Sequence, residues 1–107
     1  MTFKVELTLA AESDLGQIAD YIAQHHSLIQ ATYVVDQLQT ITMALASFPE
    51  RSAHPPELLA LGIKDYRQVF FKPYRVIYRV VGKTVYVYLI ADGRRDMQRL
   101  LSERLLK

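Results

Sequence analysis

The feature that most constrains this chain is a period of two running through its second half, in the stretch Lys64 to Arg95, KDYRQVFFKPYRVIYRVVGKTVYVYLIADGRR. From Tyr74 to Val81 the residues divide into Tyr74, Val76, Tyr78 and Val80 on one side and Arg75, Ile77, Arg79 and Val81 on the other, as in a strand. Gly82-Lys83 supplies a two-residue reversal, because glycine reaches the positive φ that a primed hairpin turn requires. With Val81 facing Thr84, the register places Arg79 opposite Tyr86, Ile77 opposite Tyr88 and Arg75 opposite Ile90. Val76, Tyr78 and Val80 then meet Leu89, Val87 and Val85 on the other side. That second set predicts a core face, and the arginines set among tyrosines predict a working surface. Basic groups interleaved with rings can hold phosphates and stack on bases. Arginine stems lying over tyrosines can equally cover an exposed sheet face, and the spacing leaves both readings open.

The remaining elements follow from their own periods. Phe3, Val5, Leu7 and Leu9 alternate with Lys4, Glu6 and Thr8, predicting a half-buried first strand that pairs with the later sheet across two helices. Ala11, Leu15, Ile18 and Ile22 recur at helical spacing from Ala10 to about His26. Ser27 followed by Gln30 fits a capping box that opens a second helix. Ala31, Val34, Leu38, Ile41, Leu45 and Phe48 form its apolar stripe, ended by Pro49. Pro55-Pro56 breaks the irregular stretch Arg51 to Gly62, in which Glu57 to Leu61 has room for one helical turn. Strands near Tyr66 to Phe71, Tyr74 to Val81 and Thr84 to Ala91 follow, and Met97, Leu100, Leu101 and Leu105 mark a short amphipathic helix from Asp96 to Leu106. The expectation is a single α+β domain over residues 1–107, ordered β-α-α-β-β-β-α, with an antiparallel sheet, helices packed on one side of it, and a short C-terminal helix.

Composition narrows the chemistry. The chain has no cysteine, which removes disulfides, thiol nucleophiles and thiolate metal sites and suits a reducing cytoplasm. No apolar run approaches membrane-spanning length and no charged-then-apolar leader opens the sequence, so a soluble cytoplasmic protein is expected. The net charge of +2 conceals a polarity. Up to Arg51 the cations are Lys4 and Arg51 against six carboxylates, whereas beyond it eleven lysines and arginines outnumber five acids, so the second half should attract an anionic partner.

No established catalytic constellation is complete. Gly82-Lys83-Thr84 lacks the earlier glycine of a phosphate loop and lies between strands rather than before a helix. His25, His26 and His54 have no carboxylate or cysteine spacing that would make a metal site, and neither metal nor cofactor is expected. The arginines can clamp phosphate, but arginine stays charged and does not move protons. Lys72, Tyr74 and Tyr88 are the nearest candidates for that role.

Pro73-Tyr74-Arg75-Val76-Ile77-Tyr78-Arg79-Val80, followed by Val85 to Ile90 and by Gly93-Arg94-Arg95-Asp96, closely resembles the RelE/ParE superfamily of type II toxin-antitoxin toxins. Ala11-Glu12-Ser13-Asp14-Leu15 and Phe48-Pro49 add to the resemblance, which covers nearly the whole chain. It implies a small cytoplasmic toxin in a hetero-oligomer with a cognate antitoxin. The superfamily holds two mechanisms: RelE-like members cut messenger RNA on the ribosome with basic residues and a C-terminal tyrosine or histidine, and ParE-like members inhibit DNA gyrase. Arg75 and Arg95 match RelE-type positions and are the catalytic candidates under that alternative. Tyr66 and Gln68 replace basic residues of that branch, and Leu101 or a neighbour replaces its terminal aromatic, so the ParE-like, noncatalytic reading is favoured. The resemblance implies target or nucleic-acid contacts at Lys72, Arg75, Arg79, Arg94 and Arg95. It implies antitoxin contacts along the helix hairpin and the C-terminal helix, at Leu15, Ile22, Val34, Leu38, Leu100 and Leu101, with a sheet edge as a second receptor.

Overall fold

The computed structural model describes residues 2–106, so Met1 and Lys107, the ends of the expected domain, lie outside the described residues. Strand β1 (Lys4–Leu7) leads into helices α1 (Leu9–His25) and α2 (Leu28–Met43). Two 3-10 turns (Ala44–Ala46 and Pro49–Arg51) and the one-turn helix α3 (Pro56–Leu59) precede β2 (Tyr66–Phe71), β3 (Tyr74–Val81), β4 (Thr84–Asp92) and helix α4 (Met97–Leu105). Thr8 caps α1, its hydroxyl accepting from Ala11 N at 3.1 Å. Ser27 caps α2 by accepting from Gln30 N at 3.0 Å, so a single serine turns the chain between two helices.

The second helix stops earlier than its stripe predicts. It ends at Met43, and Phe48 is left-handed (φ 56) with its ring 63% exposed instead of joining the core. Pro49 disfavours a right-handed helical residue before it, so the chain turns outward there. The Tyr78 hydroxyl pins the bend by donating to the Pro49 carbonyl at 2.5 Å, and the Arg51 guanidinium lies 3.9 Å over the Phe48 ring.

The sheet order is β1-β4-β3-β2. The last three strands are antiparallel, as expected, and β1 runs parallel to β4 with Leu7 opposite Val87, which makes the sheet mixed. The hairpin begins in the predicted register, Val81 opposite Thr84 and Arg79 opposite Tyr86. It then slips between Tyr78 and Ile77, where an extra residue, Tyr88, is accommodated in β4. Ile77 therefore meets Leu89, Val76 meets Ile90 and Arg75 meets Ala91, which corrects the uniform pairing of Ile77 with Tyr88, Val76 with Leu89 and Arg75 with Ile90. The slip moves Ile90 onto the α1/α2 face and Leu89 onto the opposite one.

The helix hairpin packs on one face of the sheet, as expected, and α3 and α4 cover the other. On one face Val76, Tyr78, Val85, Val87 and Ile90 pack with Ala11, Leu38 and Leu45 of the helix hairpin and the turn after it. On the other, Ile77, Leu89 and Ala91 pack with Leu58 of α3 and with Met97 and Leu101 of α4. The face read as an arginine-and-tyrosine surface is thus largely a second core, because the leucines of α4 need cover that a short helix cannot supply alone.

A clasp joins the two helical layers around the edge of the sheet. Strand β1 covers β4 only as far as Val87. Beyond that point Ile90 N donates to Asp14 Oδ2 at 3.0 Å, and Arg104 Nη1 donates to the Tyr88 carbonyl at 2.7 Å. Arg104 also binds the Asp14 carboxylate in two places, each at 2.9 Å. The acid stands where a neighbouring strand would offer a carbonyl, and the guanidinium where it would offer an amide, so edge groups that a strand would satisfy are met by side chains. Asp14→Asn should destabilise the fold by about 1–3 kcal/mol and speed hydrogen exchange at the Ile90 amide. Unchanged melting temperature and unchanged Ile90 protection would refute the clasp.

Candidate functional site at one end of the sheet

The five basic side chains marked for target binding do not form one surface. Arg75 is buried, only 8% exposed. Its Nε donates to Gln68 Oε1, and its Nη1 and Nη2 donate to the two Glu57 carboxylate oxygens, all at 2.8 Å. Gly93 lies against its stem, where an added Cβ would stand 2.7 Å from Arg75 Cδ, so only glycine lets the turn close over this side chain. The Arg75 hydrogen bonds hold the Glu57 carboxyl below the usual carboxylate range, against burial, which acts in the opposite sense. The expected role of Arg75 as a target contact is therefore corrected to that of an internal strut: its donors are turned to partners inside the protein.

Arg79 lies four residues along the same strand, about 13 Å away. It pairs with Asp65 at 3.3 Å and stands 5.8 Å from the Tyr66 ring centroid, half-exposed, which is the covering arrangement of an arginine over an aromatic. Such an exposed pair contributes little to stability.

Lys72, Arg94 and Arg95 do come together at one end of the sheet. Tyr74 pairs with Asp92, and Gly93 N donates to the Pro73 carbonyl at 2.7 Å, which brings the Lys72-Pro73 turn beside the Asp92 to Asp96 turn. Arg94 is tied to Asp92 through Nε and Nη2, at 3.0 and 2.6 Å. These contacts hold the Asp92 carboxyl below its ordinary range. Asp96 serves as the cap of α4, accepting from Arg99 N at 3.1 Å. Arg95 is exposed, and among the described residues its guanidinium has no hydrogen-bond or ion-pair partner.

A cleft of about 510 Å³ opens beside this end, between α1 and the last residues of β4. Ile18, Ile22, Ile90 and Ala91 contribute its apolar lining, and Gln17, Tyr21, His26, Tyr74, Arg94 and Arg95 its polar one. Burial pushes the Tyr74 phenol above its usual range, so it is a protonated donor at neutral pH. Asp14 and Asp92 also line the cleft, each already matched by an arginine.

The residues expected to meet an antitoxin are mostly interior. Leu38 is fully buried, Leu101 and Ile22 nearly so, and Val34 and Leu100 pack against the two cores. Leu15 lines a groove of about 470 Å³ along the hairpin with Leu7, Glu12, Gly16 and Val35. The large apolar side chains that do face outward on the hairpin are Leu9, Tyr21, Leu28, Ile29, Tyr33 and Met43. The stripe read from the sequence is the one the sheet covers, and the outward-facing residues lie between its teeth. Reading the period for the exposed side as well would have found them. Glu57, Gln68, Asp14 and Arg104 were missed because their partnerships span 7 to 90 residues.

His25 stacks on Tyr21 at 4.3 Å, His26 lines the cleft, and His54 Nδ1 donates to the Tyr66 carbonyl at 2.9 Å. Among the described residues no group of three or more histidines and acids could hold a metal ion, and no helix is long and apolar enough to cross a membrane.

Comparison with known proteins completes the site. The model of the ParE toxin of the type II toxin-antitoxin system parDE matches residues 5–97. No curated protein shows a sequence match. Among solved structures, the fold is similar to a chain of the chromosomal ParDE toxin-antitoxin system from P. aeruginosa. The TM-score is 0.72 at 19% identity, covering 85% of this chain and 96% of that one. It is also similar to a chain of the RelBE2 toxin-antitoxin complex from Mycobacterium tuberculosis. There the TM-score is 0.61 at 15% identity, with 86% and 99% covered.

Proposed function

Since the chain belongs to the ParE toxin family of type II toxin-antitoxin systems, we propose that it arrests growth by obstructing DNA gyrase in the cytoplasm, without cutting nucleic acid itself, and that a cognate antitoxin holds it inert in a hetero-oligomer. The observation that carries the noncatalytic reading is the enclosure of Arg75 by Glu57 and Gln68. A guanidinium whose charge is met by an internal carboxylate is not poised to stabilise the charge that builds on a phosphoryl group. On that face Leu101, near the position that the resemblance gives to a terminal tyrosine or histidine, is 1% exposed in a core with Leu58 and Met97, and leucine moves no proton.

What remains for a target is Lys72, Arg94 and Arg95 on one end of the sheet, with Arg79 farther along. Exposed charges of this kind steer encounter and set its salt dependence. The test is a pair of assays on the purified chain: supercoiling by gyrase in one, messenger RNA on translating ribosomes in the other. Supercoiling should be blocked with transcripts left whole. Ribosome-dependent cuts that disappear with Arg75→Ala or Arg95→Ala in a folded protein, with gyrase unaffected, would replace this reading by the RelE-like one.

A further inference from the structure

We infer that the cleft between α1 and the end of β4 seats an extended peptide that places one bulky aliphatic side chain on its isoleucines and an adjacent carboxylate on Arg95. As a statement about which stretch of the antitoxin is gripped, this rests on the function proposed above. As a statement about the cleft, it rests on the cleft's own chemistry.

Charge selects the ligand. Of the titratable groups lining the cleft, Asp92 is matched by Arg94, and Asp14 by Arg104 reaching across from α4. Arg95 makes no hydrogen bond or ion pair among the described residues, although its charge joins that of Arg94 in acting on Asp92. Arg94, Arg95 and Arg104 against Asp14 and Asp92 leave one net positive charge, which suits one carboxylate. A nucleic-acid strand would bring successive phosphates against a wall that already carries two carboxylates, so it fits this cleft poorly. The lining also favours a peptide. Ile18, Ile22, Ile90 and Ala91 offer apolar area to an aliphatic side chain, and Tyr21 and Tyr74 are rings carrying hydroxyl donors. Finally, β1 covers its side of β4 only as far as Val87, and Ile90 to Asp92 border the cleft. The clasp of Asp14 and Arg104 already holds the Ile90 amide and the Tyr88 carbonyl, so an extended main chain has the stretch after Ile90 to run beside.

The experiment is a nuclear magnetic resonance titration of the full chain with short blocked peptides. The probes are acetyl-Ala-Leu-Glu-Ala-amide, the same peptide with glutamine for glutamate, and the same with alanine for leucine. The first should shift the backbone amides of Ile90 to Arg95 and the Arg95 side-chain resonance. The other two, and the first against Arg95→Gln, should bind about tenfold more weakly. Tyr21→Ala, at a largely exposed position, should weaken the first peptide without altering the fold.

Equal binding of all three peptides, shifts confined to other surfaces, or an oligothymidylate that perturbs the same amides and displaces the peptide would each overturn the inference. The titration reads the cleft directly. A chain that leaves gyrase untouched yet binds the first peptide selectively would defeat the proposed target and keep the cleft, and the reverse result would do the opposite.

Discussion

Replacing Arg75 by alanine should remove about 3 kcal/mol or more of folding stability. This makes it one of the most damaging single changes in the chain, and the loss should appear as a lower denaturation midpoint before any activity is measured. The expectation follows from burial on both sides of the contact: the Arg75 side chain is 9% exposed and that of Glu57 23%. The truncation would leave a carboxylate without its cation and Gln68 without its donor. A pH dependence accompanies it. Glu57 titrates lower in the folded protein than in the unfolded chain, so its contribution is present above the unfolded value of about 4.3 and is lost as pH falls through the lower, folded value. The stability difference between the native chain and Glu57→Gln should therefore be widest near neutrality and close in acid. A difference that stays flat from pH 7 to strong acid would show that the pair contributes nothing through ionisation. Arg75 also needs care as a mechanistic probe. Loss of toxicity on Arg75→Ala speaks to catalysis only if the variant is shown to be folded.

Leu101→Ala should cost about 3 kcal/mol, within the range for truncating a buried leucine. Leu101 is 1% exposed and packs with Leu58, Met97, Leu89 and Ile77, so its removal opens a void between α4 and the sheet. Had this leucine been a surface anchor for a partner, alanine would leave the free protein's melting temperature unchanged and lower only the affinity of the complex. A thermal melt of the isolated chain distinguishes the two: a shift of several degrees is expected, and no shift would remove α4 from the second core.

The sequence made the element order and the start of the hairpin legible for a simple reason: each depends on neighbours two, three or four residues apart. Ser27 before Leu28 and Gly82 in its turn are local choices with local consequences. The bulge at Tyr88 was not legible because both faces of β4 are buried. When apolar residues fill both sides, slipping Leu89 to one face and Ile90 to the other produces no polar residue in a core to signal it. The same two-sided burial turned an apparent arginine face into a packed layer. Of the candidate site, the basic turn containing Arg94 and Arg95 could be read directly, since turns lie at the surface. That Arg75 and Arg79, only four residues apart, would have opposite fates could not be read. Glu57, which decides the matter for Arg75, lies eighteen residues upstream in the one-turn helix α3.

The clasp between Asp14 and Arg104 also bears on how the protein comes into being during translation. Synthesis is vectorial, so α1 is made long before the arginine that closes over it, and β1 must wait for residues 84–87, which it pairs with, before it has any neighbour in the sheet. Contacts this distant along the chain form late and slowly. A nascent polypeptide halted before β4 has the helix hairpin and the pair of β2 and β3, and lacks the strand that β1 and Asp14 hold on to.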